Sequence, residues 1–210
     1  MTLAALKHLS AVDPVMKKLI REVGACKLVP ETRRAPFQSL VLAVAHQQLN
    51  GTAAGTILGR FKKLFPGRKF PKPEDLANVT DEQIRACGFS FAKIKSIRDI
   101  AAKAQSGVIP STRQIVKLSD DEIVARLTEV RGVGRWTVEM LLIFQLGRED
   151  VLPADDFGVR SGFRVAYRKR EMLKPKELLA FGEKWKPHRT TAAWFLWRAA
   201  DAAKDANKKK

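Results

Sequence analysis

A glycine turn and an isolated pair of acids mark where chemistry is concentrated in this chain. Residues 127–156 read LTEVRGVGRWTVEMLLIFQLGREDVLPADD: Gly132-Val133-Gly134 opens an apolar helix, and Asp155-Asp156 stands just before another. Glycines allow a tight turn and let backbone approach a ligand closely. The first N–H groups of the following helix have no intrahelical partner, so they offer donors and a positive helix end to a phosphate without any side-chain charge. The same dipole favours an ionised carboxylate at Asp156, ahead of a helix starting near Phe157. The combination suits a device that grips a nucleic-acid backbone and presents one carboxylate to it. The competing reading of the same residues is a plain corner between helices, with the aspartates as helix caps.

The elements that must position these groups are nearly all helical. Leu127 and Val130 before the turn, and Val138, Leu141 and Leu142 after it, have helical spacing. Asp13-Pro14 reads as an N-cap followed by proline at the first helical position. Phe37, Leu40, Val41 and Val44 form one apolar face, and Ile57, Leu58, Phe61 and Leu64 another. Thr80-x-x-Gln83 and Ser119-x-x-Glu122 have the pattern of capping boxes. Further helices are expected over 93–104, 135–145, 157–168, 175–183 and 189–203. No alternating β-branched run bounded by hairpin dipeptides occurs. The fold expected is all-α. Without an internal repeat or low-complexity linker, its two packed helical subdomains should share a cleft. The divisions expected are 1–35 with 157–205 as a terminal subdomain, 36–156 as a helical barrel holding the hairpin at about 119–146, and 206–210 as a basic tail.

Composition narrows the partner. The 210 residues are 45% hydrophobic and 29% charged, enough for a real core. A net charge of +17 and a pI near 10.2 point to a polyanion. Six of these cations, Arg60, Lys62, Lys63, Arg68, Lys69 and Lys72, lie in one acid-free run that is either a phosphate-facing patch or an exposed loop. The two cysteines, Cys26 and Cys87, supply neither a disulfide framework nor a four-cysteine iron–sulfur site, and suit a reducing compartment. The amphipathic N-terminus lacks the features of a signal peptide, and no apolar run approaches the ~18 residues of a membrane span. The tail at 206–210 reads as a frayed, solvated end.

Leu127-x-x-Val130-x-Gly132-Val133-Gly134-x-Trp136-Thr137 followed by Leu152-Pro153-Ala154-Asp155-Asp156 resembles the helix-hairpin-helix (HhH-GPD) DNA glycosylase superfamily, in particular its 3-methyladenine DNA glycosylase II (AlkA/Mag-like) branch. His46-Gln47-Gln48-Leu49, Gly88-Phe89-Ser90 leading into Lys93-Ile94-Lys95, and Trp185-Lys186-Pro187-His188-Arg189 extend the likeness over roughly 35–200. The branch's β-rich N-terminal extension has no counterpart in this reading, which resembles the compact form.

The resemblance implies hydrolysis of the N-glycosidic bond of an alkylated purine flipped from duplex DNA, the first step of base excision repair. Asp156 is then the catalytic carboxylate, steadying oxocarbenium character on the sugar and orienting water, with Asp155 a cap or structural neighbour. Trp136 stands where bifunctional relatives carry a Schiff-base lysine, which implies a monofunctional enzyme without β-lyase activity. Trp136 and Trp197 correspond to aromatic pocket positions suited to a cationic purine. Met140 stands where a bacterial member has a pocket tyrosine, so the wall is softer. Trp185 and Trp194 read as structural.

The hairpin residues Gly132, Val133, Gly134, Arg135 and Thr137 are implied DNA contacts, with Lys93, Gln47 and Gln48 beside them. His46 is either a further contact or a plain helix-end residue. Phe91 is either the wedge that fills the hole left by the flipped base or a core residue. The main-chain oxygens of Thr128, Val130 and Val133 are implied to hold a monovalent Na+ or K+; no other cofactor is expected. The substrate expected first is 3-methyladenine, with 7-methylguanine, ethenoadenine and hypoxanthine open. The partner is double-stranded DNA met by a monomer, in the bacterial cytoplasm or the eukaryotic nucleus, with no membrane involved. Two other readings stand beside this one: a noncatalytic helix-hairpin-helix DNA-binding module, which would need no carboxylate or tryptophan pocket, and a glycosylase for oxidised or mismatched bases, whose lysine and cysteine cluster are missing.

Overall fold

A computed structural model describes residues 2–208, and among them the regular elements are all helices. In chain order they are α1 (Leu3–Val12), α2 (Pro14–Val23), α3 (Pro36–His46), α4 (Gly51–Lys63), a 3-10 turn (Pro73–Asn78), α5 (Asp81–Ala86), α6 (Phe91–Gln105), α7 (Thr112–Ile115), α8 (Asp120–Thr128), α9 (Arg135–Phe144), α10 (Phe157–Ala166), α11 (Pro175–Phe181), a second 3-10 turn (Gly182–Trp185) and α12 (Arg189–Lys208). The chain forms two compact units, Thr32–Leu141 and Met1–Glu31 with Leu142–Lys210. The divisions expected from the sequence fall at 35/36 and 156/157. Residues 142–156 instead join the terminal unit, because their bonds run to α12: Arg189 forks onto the Asp150 carboxylate at 2.8 and 3.0 Å, and the Val151 N–H donates to Thr190 Oγ1.

The middle unit is built around α6, whose Ile94, Ile97 and Ile100 are buried, as are Leu40, Val41 and Val44 of α3. Phe61 of α4 meets Phe89 edge to face at 5.5 Å. Both capping boxes form. Thr80 and Gln83 exchange side-chain and backbone bonds at the start of α5, and Ser119 and Glu122 do so at the start of α8.

In the terminal unit the predicted cap at Asp13-Pro14 is present and does more than cap. Asp13 Oδ1 accepts the Val15 and Met16 N–H groups. Its Oδ2 accepts the Tyr167 hydroxyl at 2.6 Å, the Trp185 indole at 3.0 Å and lies 3.0 Å from the Lys184 ammonium. Burial opposes ionisation of this carboxyl, but the Tyr167, Trp185, Lys184 and Met16 bonds outweigh it and hold it below the usual carboxylate range. Tyr167 stacks on Phe163 at 4.1 Å, and its own acidity is suppressed by burial and by Asp13. Helices α10 and α12 touch at Gly162, where a Cβ would lie 1.8 Å from the Leu196 carbonyl oxygen, so only glycine fits.

Several ends differ from expectation. α10 stops at Ala166 because Arg168 turns left-handed, at φ 52°. The helix expected over 175–183 tightens into 3-10 form at Gly182, whose bare Cα lies against Leu152. α12 runs on through the alanine-rich 202–206 to Lys208, so the described part of the tail is helical rather than frayed. Lys209 and Lys210 lie outside the described residues. In the basic run, Arg68 pairs with Asp75 at 3.0 Å and Lys72 with Glu74 at 3.8 Å, acids supplied by the following 3-10 turn.

Candidate active site

The hairpin 129–134 lies between α8 and α9 in the middle unit. Its first glycine is required by conformation. Gly132 has φ 76°, and a Cβ there would lie 2.5 Å from Ser96 Oγ on α6. Gly134 is different: its φ is not left-handed and a Cβ would meet nothing within 4 Å. Its carbonyl accepts the Val138 N–H that starts α9, so the position is the N-cap of the helix whose opening N–H groups were expected to face a phosphate. The fold leaves this glycine unexplained, and open space is what a close-approaching ligand requires.

One face of α6 holds the hairpin from behind. Asp99 accepts the Arg131 N–H at 2.7 Å and the Lys103 ammonium at 2.9 Å, while Lys103 also donates to the Glu129 carbonyl. Burial opposes the Asp99 charge, but the Arg131 N–H and Lys103 outweigh it and lower its pKa. Gln47 donates from Nε2 to the Gly132 carbonyl at 2.9 Å. The Lys93 ammonium donates to the Ala45 and Gln47 carbonyls at the C-terminal end of α3, a favourable place for a cation, and burial lowers its pKa. Lys93 and Gln47, expected as DNA contacts, thus each donate to protein carbonyls, at the end of α3 and in the hairpin. Thr137 is likewise buried, as is the Val133 side chain, so neither side chain lies on the exposed face.

Other expected contacts are exposed. Arg135 is solvent-facing and pairs with Glu139 at 3.1 Å. Gln48 is exposed and left-handed at φ 57°, a strained state for a residue with a side chain, and His46 is exposed beside it. Phe91, the first residue of α6, is 66% exposed, so the core alternative is excluded. The Arg85 guanidinium sits 5.1 Å from its ring centre and also bonds the Phe89 carbonyl. Trp136 is 46% exposed and Met140, one turn on, is half-buried. The main-chain oxygens of Thr128, Val130 and Val133 are hard donors of the kind an alkali cation takes, and Val130 O also accepts the Val133 N–H. Among the described residues, no group of three or more His, Cys, Asp or Glu could hold a metal ion.

Asp156 lies in the terminal unit, at the end of a braced loop. Thr190 Oγ1 bonds the Arg148 carbonyl, and Leu152 packs against Gly182. Pro153 is the middle residue of a tight turn in which the Ala154 N–H donates to the Leu152 carbonyl, and the Asp156 N–H then donates to the Pro153 carbonyl. Asp156 caps α10 by accepting the Val159 N–H at 2.8 Å, and the same oxygen accepts the Trp197 indole N–H at 2.8 Å. Trp197 is half-buried and stacks on Phe144, with ring centres 5.6 Å apart. Asp155 is exposed, whereas Trp185 and Trp194 are buried as structural residues.

Sequence reading missed the α6 brace and the Asp150–Arg189 fork. The brace had a legible signal: Ser96, Asp99 and Lys103 recur at helical spacing beside the buried isoleucines, a polar stripe with no solvent role of its own.

An all-helical chain with a glycine hairpin opening one helix and a carboxylate capping the next has the build of a helix-hairpin-helix protein. Residues 41–188 match the family described as HhH-GPD superfamily base excision DNA repair protein, and the chain belongs to that superfamily. It is 42% identical over 197 residues to DNA-3-methyladenine glycosylase 1 of Schizosaccharomyces pombe, covering 93% of this chain and 86% of the relative. A solved structure of the S. pombe 3-methyladenine DNA glycosylase in complex with abasic DNA superposes with a TM-score of 0.83, covering 93% of this chain and 95% of that one. DNA-3-methyladenine glycosidase from Bacillus halodurans is 35% identical, with a TM-score of 0.87 over 96% of this chain and 91% of that one.

Proposed function

We propose that this chain is a monofunctional 3-methyladenine DNA glycosylase that starts base excision repair. The observation that carries the reading is Asp156: a carboxylate held at a helix start by the Val159 N–H and the Trp197 indole, in a chain of this superfamily. The hairpin grips the backbone of duplex DNA through the N–H groups opening α9, while Gly134 lets a phosphate come close. Flipping the nucleotide costs a few kcal/mol, less for a damaged pair, and Phe91 fills the hole. An alkylated purine is already a cationic leaving group, so no strong general acid is needed. Asp156 stabilises positive charge developing on the sugar and orients the attacking water. Trp136 offers a π face to the cationic base and no amine for a Schiff base, so the product is an abasic site rather than a cut strand.

The substrate range centres on 3-methyladenine and extends to 7-methylguanine, ethenoadenine or hypoxanthine, with Met140 shaping one wall. The Thr128, Val130 and Val133 oxygens would hold a monovalent cation, which supplies positive charge toward a phosphate. One lesion on one duplex calls for a monomer acting where the genome lies, in bacterial cytoplasm or a eukaryotic nucleus.

The test is incubation with methylated duplex DNA. Free 3-methyladenine should appear together with abasic sites that break only on alkali treatment, and borohydride should trap no protein on the DNA. Duplex binding without base release would turn the reading to a noncatalytic module, and direct strand cutting would overturn the monofunctional assignment.

A further inference from the structure

We infer that Trp197 is a positioning residue for Asp156, acting through its indole N–H rather than only as an aromatic wall; this rests on the glycosylase reading above. Helix capping alone gives the carboxylate one bond from its own helix, the Val159 N–H on Oδ1 at 2.8 Å. Trp197 adds a second from α12, also 2.8 Å and on the same oxygen. Two donors from different elements on one oxygen fix the rotation of the carboxylate, and bonds to an ionised acceptor are about twice as strong as neutral ones.

The surrounding residues are shaped to permit this bond. A Cβ at Gly158 would lie 2.8 Å from Trp197 Cδ1 and 3.0 Å from Asp156 Oδ1, so only a bare backbone admits indole and carboxylate together. At Gly162, one turn on, the backbones of α10 and α12 touch next to Trp197, at the Leu196 carbonyl, which sets the height of the indole. Phe144 stacks against the indole with an interplanar angle of 25°. A tryptophan that merely filled space would not require a glycine beneath its N–H edge. Placement matters because a shift of ~1 Å in a reacting group can cost about 100-fold in rate.

The experiment uses the full chain in three altered forms: Trp197→Phe, Asp156→Asn, and replacement of Trp197 by its benzothiophene isostere, in which sulfur replaces the N–H and ring size is kept. In a proton–nitrogen correlation spectrum, the indole resonance missing from Trp197→Phe should be the one that moves most in Asp156→Asn. The isostere should lower the single-turnover release of 3-methyladenine by about 10- to 100-fold while binding to an abasic duplex stays within about twofold. An indole signal indifferent to Asp156→Asn, or an isostere as fast as the parent, overturns the inference. So does a loss of duplex binding in step with rate, which would place the indole on the DNA instead. If the parent releases no base, the glycosylase reading fails, and the spectrum still decides the bond.

Discussion

Gly132 and Gly134 stand two residues apart, yet alanine should act on them in opposite ways. At Gly132, alanine must adopt φ 76°, and its Cβ would arrive 2.5 Å from Ser96 Oγ. The left-handed backbone costs about 1–2 kcal/mol. The collision forces the buried Ser96 to turn away from the Ala92 carbonyl it now bonds at 3.1 Å, adding about 1–2 kcal/mol of overpacking and lost hydrogen bond. Gly132→Ala should therefore destabilise by about 3 kcal/mol, a fall in Tm of roughly 6–12 °C for a chain of this size. In a Ser96→Ala background the nearest atom becomes a Cβ at 3.4 Å, an ordinary contact. The cost should shrink there to the backbone part, about 1–2 kcal/mol. Gly134→Ala should change stability by less than about 1 kcal/mol, since its Cβ enters open space at an N-cap. It should nonetheless weaken binding to an abasic duplex by about tenfold or more, because a methyl holds the phosphate off charge-assisted N–H bonds worth ~1.5–3 kcal/mol each. Urea melts of the four single and double variants, with fluorescence titration of labelled duplex, measure both quantities. A Gly134→Ala chain that binds like the parent, or a Gly132→Ala cost unchanged by Ser96→Ala, would refute this division between fold and grip.

Asp13→Asn should lower stability by about 3 kcal/mol at neutral pH, because it opposes an amide to the Tyr167, Trp185 and Lys184 donors of a buried carboxylate. Since the folded pKa of Asp13 is depressed, its contribution is full above the unfolded value of about 3.9 and is lost as pH falls through the lower folded value. Melts across acid pH should show the gap between parent and variant constant above about pH 5 and closing below about pH 4; a gap that widens in acid would contradict this. Lys93→Met should destabilise the chain by about 1–3 kcal/mol, through the two carbonyls it leaves. The slope of log duplex affinity against log salt should stay unchanged, whereas removing a phosphate contact would reduce it by about 1.

What the sequence made legible was whatever local pattern decides. Proline after Asp13, the boxes at Thr80 and Ser119, and the periodic faces of α3 and α4 specify helices without long-range help, and the structure forms them. The short elements Pro73–Asn78 and Thr112–Ile115, six and four residues long, are too short to show a period. The hairpin turn was readable because paired glycines between two apolar helical faces mark a turn, and Asp156 because an acid just ahead of a helix start reads as an N-cap, which it is. The carbonyl bonds of Lys93 and Gln47 were not, since spacing gives no account of which carbonyls a side chain 46 or 85 positions away will find. The Trp197 bond was hidden for the same reason: its partner lies 41 positions back, and the enabling glycine reads as an ordinary weak helix former.

The most direct measurement compares the parent with Asp156→Asn on methylated duplex DNA, at protein concentrations adjusted to equal duplex binding. Free 3-methyladenine released by the parent and reduced by ~100-fold or more in the variant is the expected result, as for removal of a group that stabilises transition-state charge. Equal release by the two would contradict a catalytic role for Asp156.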